Sequence, residues 1–153
     1  MWLSHECLVL LPSLDKNLEL GDIILFSVNA KNEIETYTLE FRYKNGDVSS
    51  NVSSYNSYFT KYFGKTYVKK GSRFSLISAT NNPNYNTSWE YLKAFDTTIM
   101  KFYMVDLTNG DVDIYSYDYI VASKDVPDTE EKVFVKVYKS GGTYGDFAVV
   151  YKK

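Results

Sequence analysis

The chain is short of the residues that most small enzymes and metal proteins rely on. Its 153 residues include one cysteine, Cys7, and one histidine, His5. A lone thiol excludes an intrachain disulfide and any zinc site built on several cysteines. The absence of a disulfide framework favours folding inside a cell over folding in an oxidising compartment. The N-terminal apolar run Leu8–Leu11 is far below the roughly 20 residues of a membrane-spanning helix. With no basic leader, Glu6 before it and Pro12 behind, it is a poor signal peptide and reads as a buried strand. Membrane insertion is not expected.

Neither sign of charge is in large excess. Seventeen basic and 19 acidic residues leave a net charge of −2. The basic stripe of a nucleic-acid binder is missing, so nucleic acid is not an expected partner. Lys61, Lys65, Lys69, Lys70 and Arg73 come nearest to a patch, and they read as lysines that solubilise a hairpin and its edge. No GxSxG elbow, phosphate loop, dinucleotide-binding glycine run or HExxH motif occurs.

Aromatic residues are abundant. Fifteen Tyr, nine Phe and two Trp make up 17% of the chain. Such side chains pack well on the pleated, half-buried surface of a strand. Period-two alternation is the dominant pattern. Tyr37, Leu39, Phe41 and Tyr43 alternate with Thr36, Thr38, Glu40 and Arg42, which predicts a strand with its aromatic side inward. The strand runs into Asn45-Gly46, the dipeptide suited to a type I′ hairpin turn. A second hairpin is predicted around Asn109-Gly110, with Val112 to Val121 as its returning strand. A third is predicted around Ser140–Thr143, between strands bearing Val133, Val135 and Val137 and Phe147, Val149 and Tyr151. Ile23–Ala30, Thr66–Lys69 and Phe74–Ala79 add further strands, the last two flanking a turn at Gly71.

Two segments carry helical spacing. Tyr55, Tyr58, Phe59, Tyr62 and Phe63 recur at i, i+3, i+4, i+7 and i+8, with Gly64 at the C-terminal side. Thr87 and Glu90 form a capping-box pattern ahead of Leu92 and Phe95. The fold expected is therefore all-β: one domain over 1–153, an antiparallel β-sandwich, jelly-roll or immunoglobulin-like, with about nine or ten strands and one or two short helices.

Candidate chemistry is thin. His5 and Cys7 fall on one face of a strand, but a nucleophile pair needs an orienting third group and an oxyanion site, and neither is visible. Asp106, Asn109, Asp111 and Asp113 offer oxygens of the kind calcium takes. Their spacing is not that of an EF-hand, and the Asn-Gly turn already explains them. Asp22, Asp96 and Asp118 are scattered singles. Asn51 and Asn86 sit in N-glycosylation triplets of the sort that arise by chance in an Asn- and Ser-rich chain. No catalytic residue, metal or cofactor is nominated, and the chain is not expected to be an enzyme.

The remaining signal is tyrosine. Tyr115, Tyr117 and Tyr119 share one face of a predicted strand, and Tyr103 belongs to its hairpin partner. Together with Tyr85 and Trp89 they are the candidate binding residues. Such rings either cover a core, meet another subunit or stack on sugars. The leading expectation is a non-enzymatic structural or interaction protein. Its concrete form is a β-sandwich component of a viral or phage particle (capsid, decoration or tail), assembled in the host cytoplasm and acting through contacts with like or unlike subunits. The alternative is a lectin-like carbohydrate-binding module. An enzyme built on unpaired acidic residues is a distant third.

Overall fold

The structure, a computed structural model, describes residues 6–8, 17–45, 59–78, 94–138 and 145–153. Ten strands occur among them: β1 (Glu6–Leu8), β2 (Ile23–Val28), β3 (Ile34–Phe41), β4 (Phe59–Lys70), β5 (Arg73–Ser78), β6 (Ala94–Asp96), β7 (Lys101–Asp106), β8 (Val112–Ile114), β9 (Lys132–Tyr138) and β10 (Gly145–Lys152). They form a three-stranded sheet in the order β1-β2-β3 and a seven-stranded sheet in the order β6-β5-β4-β9-β10-β7-β8. The chain is an all-β sandwich.

One pairing departs from the antiparallel expectation. β10 runs parallel to β7, from Phe147 opposite Lys101 to Lys152 opposite Asp106. Parallel neighbours need a long crossover. Here β8, the segment that follows it and β9 all intervene between the two strands, so the large sheet is mixed.

The small sheet packs on one face of the large one. Ile23 and Phe41 meet Phe63, Phe134, Phe147, Val149, Tyr151, Tyr103 and Val105 there. Phe41 is fully buried. Its ring centre lies 4.8 Å from that of Phe63 and 4.9 Å from that of Phe134. A β-bulge explains how Phe41 reaches this layer. Ile23 pairs with Phe41 but Ile24 pairs with Leu39, which leaves Glu40 as the extra residue. The bulge reverses the alternation. Tyr37 and Leu39 pack with Leu18, Ile24 and Phe26 on the outer face of the small sheet. The expectation of one common face for Tyr37, Leu39, Phe41 and Tyr43 is corrected accordingly. The bulged Glu40 turns inward and pairs with buried Lys61 at 2.7 Å.

The opposite face of the large sheet closes on itself. β5 and β7 are four ladder steps apart, which in a flat sheet is about 19 Å. Yet the rings of Phe74 on β5 and Phe102 on β7 lie 6.1 Å apart, and those of Tyr62 on β4 and Phe95 on β6 lie 5.1 Å apart. Such contacts require the sheet to curl around a core that includes Leu76, Val133, Val135, Ala148 and Val150.

The helix expected to end at Gly64 is overturned over Phe59–Gly64, which belong to β4. This strand lies between β5 and β9, and both its faces are buried. Tyr62 points into the curled core and Phe63 into the inter-sheet core. A strand apolar on both faces satisfies helical spacing by coincidence. Phe95 likewise lies in strand β6 rather than at a helix end. The rest of both helical segments, the Gly46 turn and the Ser140–Thr143 bend lie outside the described residues. The hairpins at Gly71, with φ +57°, and at Gly110, with φ +85°, form as expected, but at the second only Gly110 and not Asn109 has positive φ, so the turn is not the type I′ that the Asn-Gly pair suggests.

Candidate interaction surface

The strand predicted to carry Tyr115, Tyr117 and Tyr119 on one face stops early. β8 covers only Val112–Ile114, and Tyr117–Tyr119 form a single 3₁₀ turn capped by the Ser116 hydroxyl, which accepts from the Asp118 N–H at 3.3 Å. A flat row of three rings therefore does not exist. The chain leaves the β8 line at Ser116 and crosses the seam where the curled sheet nearly meets itself.

Each tyrosine has a definite task at this seam. The Tyr117 ring sits between Phe74 and Phe102, at 5.9 and 5.8 Å, bridging β5 and β7. Its hydroxyl donates to the Arg73 carbonyl at 2.7 Å. Burial, with Asp118 nearby, pushes its pKa up to about 12. The Lys69 ammonium donates to the carbonyls of Tyr117, Asp118 and Ile120 at 2.9, 3.1 and 3.0 Å, and lies 4.6 Å from the Tyr117 ring centre. Three carbonyls and a ring face suit an ammonium, which has three donors. Farther along, the N–H groups of Ser123 and Lys124 donate to Thr66 and Tyr67 of β4 at 2.7 and 3.1 Å. The crossover is thus tied to the sheet at both ends.

Tyr115 packs against the same core, and its hydroxyl donates to the Tyr119 carbonyl at 3.2 Å. The Lys152 ammonium lies 4.7 Å from its ring centre and 3.6 Å from the carboxylate of Glu131. Glu131 is buried and accepts from the Val121 N–H at 3.0 Å. Desolvation raises its pKa, partly offset by the Val121 hydrogen bond and by the Lys152 and Lys69 ammonium groups. Tyr103 is not at the surface. It is buried in the inter-sheet core, and burial raises the pKa of its hydroxyl. Among the described candidates Tyr119 is the open one, at 69% exposure. Tyr85 and Trp89 lie outside the described residues.

Beside the seam is an open groove of about 590 Å³, lined by Thr97, Met100, Lys101, Phe102, Tyr103, Ile114, Tyr115, Ser116 and Tyr117. Ile114 is 73% exposed at its rim. The groove begins where β8 ends. The Tyr115 N–H makes the last cross-strand bond, to the Phe102 carbonyl at 2.9 Å. Residue spacing could not reveal this site, because the groove exists only where a strand stops and the sheet curls.

The other chemistry-bearing residues have structural partners. Asp106 accepts from the Thr108 N–H at 2.7 Å, and Asn109 accepts from the Asp111 N–H at 2.9 Å and donates to its carboxylate at 2.8 Å. These oxygens hold the turn, and among the described residues no group of three or more His, Cys, Asp or Glu is placed to hold a metal. Buried Asp22 pairs with Arg42 at 3.1 Å, and Asp96 accepts from the Thr98 N–H and hydroxyl and faces Arg73 at 3.8 Å. The basic cluster disperses: Lys61 is buried against Glu40, while Lys69 holds the crossover. His5, Asn51 and Asn86 lie outside the described residues. No helix among the described residues is long and apolar enough to cross a membrane.

Comparison of the chain with family models, with curated proteins and with solved structures found no match in any of the three.

Proposed function

We propose that this chain is a non-enzymatic interaction domain whose working surface is the β8 edge of the large sheet and the groove beside it. One observation carries the reading: among the described residues β8 is the terminal strand of its sheet, and the groove at its end exposes Ile114 beside the rings of Phe102, Tyr115 and Tyr117. An apolar side chain held open on a firm strand suits the centre of a protein contact better than solvent. Of the charged groups nearby, Lys69 holds carbonyls, Glu131 holds a backbone N–H and Asp106 holds a turn, while Lys101 in the groove and Asp113 on the edge are exposed. The setting that fits such a domain is an assembled particle, with this chain as a capsid, decoration or tail component of a virus or phage.

A sugar platform draws less support. Stacking on a sugar needs an open ring face, and the Tyr117 ring is enclosed by Phe74, Phe102 and Lys69. Tyr103 is buried.

Expression of the tagged chain in its native host tests the proposal. The expected result is one partner chain recovered in constant ratio, or recovery with particles, lost in Ile114→Asp while the fold is retained. A strictly monomeric chain with no partner, or turnover of a substrate by the pure chain, contradicts it.

A further inference from the structure

The β8 edge specifies the kind of partner more closely, an inference that rests on the interaction reading above. In the ladder with β7, Asp113 lies opposite Met104, while Val112 and Ile114 lie opposite Val105 and Tyr103. The flanking bonds run from the Asp106 N–H to the Asp111 carbonyl and from the Tyr115 N–H to the Phe102 carbonyl. That pattern makes 112 and 114 the positions whose own N–H and C=O groups point away from β7, toward the free side. Two residues two apart, each presenting a donor and an acceptor, form a short template for one more strand.

Side-chain direction then sets the chemistry. Alternation places Asp113 and Tyr115 on the same side of the sheet. Tyr115 lines the groove. An added strand with a residue opposite Asp113 therefore directs toward the groove the residue opposite Tyr115, two positions after it in a parallel strand and two before it in an antiparallel one. Asp113 is exposed, and the neighbouring Asp111 and Asp118 are exposed as well. The edge is acidic, and its groove sets the rings of Phe102, Tyr115 and Tyr117 beside Met100 and the exposed Lys101.

A second copy of this chain is the wrong occupant. Antiparallel pairing of β8 with itself that used both 112 and 114 would set Asp113 against its own counterpart. In such a non-hydrogen-bonded pair the Cα atoms are about 4.5 Å apart, and like charges directly opposite are unfavourable. The carboxylate that discourages self-pairing favours a cation in the same place.

We propose that β8 takes an extended peptide segment of a different protein as an eighth strand, with a lysine or arginine opposite Asp113 and an aromatic or large apolar residue two positions away in the groove. The peptide binds through up to four main-chain hydrogen bonds, one pair each at Val112 and Ile114, and is read by one charge and one ring.

Two end-capped octapeptides test this: Thr-Phe-Val-Lys-Val-Phe-Thr-Thr, which carries a ring two positions from the lysine in either strand direction, and its twin with Glu in place of Lys, each titrated into the full chain by fluorescence anisotropy. The lysine peptide is expected to bind about tenfold more tightly than its twin, a ratio typical of a close charge pair against a like-charge one. Asp113→Lys should reverse the preference. Val112→Pro removes an N–H that makes no bond to β7 and puts a ring in the path of an added strand, so it should abolish binding of both peptides, while the chain stays folded with a modestly lower thermal transition because the Val112 side chain packs on the inter-sheet core. Equal affinities, no binding at millimolar peptide, or a preference indifferent to Asp113→Lys overturns the proposal. So does a dimer of the chain that Val112→Pro dissociates. The two readings fail distinguishably: if Ile114→Asp loses the native partner while Asp113→Lys and Val112→Pro keep it, the groove is an interface but β8 is not a strand template, whereas a native chain that recovers no partner at all ends the parent reading.

Discussion

The two faces of the seven-stranded sheet are buried by different means. The inter-sheet face is covered by another sheet, and rings from β3, β4, β9 and β10 interlock around Phe41. The opposite face is closed among the described residues by the curl of the sheet and by one crossover, held by Tyr117, Lys69 and Glu131. A sheet laid on a sheet excludes water over its whole area. A crossover excludes it only where it passes, so polar ties must fix its course, and a groove remains where it leaves the strand line. The groove proposed for contact opens beside this less completely covered face, on which Asp113 and Tyr115 lie, while Ile114, opposite Tyr103, stands at the edge on the inter-sheet side.

Substitutions should separate the two faces by size of effect. Phe41→Ala removes a fully buried ring and should cost about 3–5 kcal/mol in chemical denaturation. An effect under 1 kcal/mol would mean that the two sheets do not share this core. Lys61→Met leaves the Glu40 carboxylate buried without its 2.7 Å partner and should cost about 3 kcal/mol. Adding Glu40→Leu should recover most of that, because a buried pair adds little over apolar residues of similar size. Failure of the double variant to recover would mean that the bulge itself needs the carboxylate.

At the seam, Tyr117→Phe should cost about 1 kcal/mol at neutral pH, the net worth of one hydrogen bond. The tyrosine also gives a pH signature. Its folded pKa of about 12 is above the unfolded value of 10.0. The unfolded chain therefore loses this proton first, and stability falls as pH rises from about 10 toward about 12. Denaturation across that window should show a shallower fall for Tyr117→Phe. Glu131 gives a smaller effect of the same sign at acid pH. Its pKa is raised above 4.5 by burial, so its protonated form is favoured by the fold and stability is lost as pH rises through the folded value. Glu131→Gln, which can still accept from Val121, should flatten that part of the profile.

Much of the architecture was legible because alternation and turn residues act locally. The Asn109-Gly110 and Gly71 turns specify their hairpins through positive φ, and β2, β3, β5, β7, β9 and β10 alternate or run apolar as strands do. The departures have particular causes. Glu40 enters a bulge that only pairing with β2 reveals. Phe59–Gly64 lie in a strand buried on both sides, so period two and period 3.6 fit equally well. Tyr115, Tyr117 and Tyr119 alternate in sequence, but Ser116 caps a turn instead of continuing β8, because Tyr117 is drawn across to Phe74 and Arg73. The parallel contact of β7 with β10 joins segments more than 40 residues apart, and no local pattern encodes it. Tyr115 and Tyr117, singled out by their alternation, mark the closure of the curled sheet. Near the β8 edge the open side chains are Ile114 and Tyr119; elsewhere among the described residues Val28, Ile99 and Val126 are also exposed.

Backbone amide exchange, followed by NMR with and without the lysine octapeptide, tests the central claim most directly. In the free chain the Val112 and Ile114 amides should exchange rapidly while that of Tyr115, bonded to Phe102, is protected. With peptide bound, both outward amides should become protected and those of β2 and β3 should not change. Outward amides already protected in the free chain, or protection gained elsewhere and not at 112 and 114, would contradict the claim that this edge is where the molecule meets its partner.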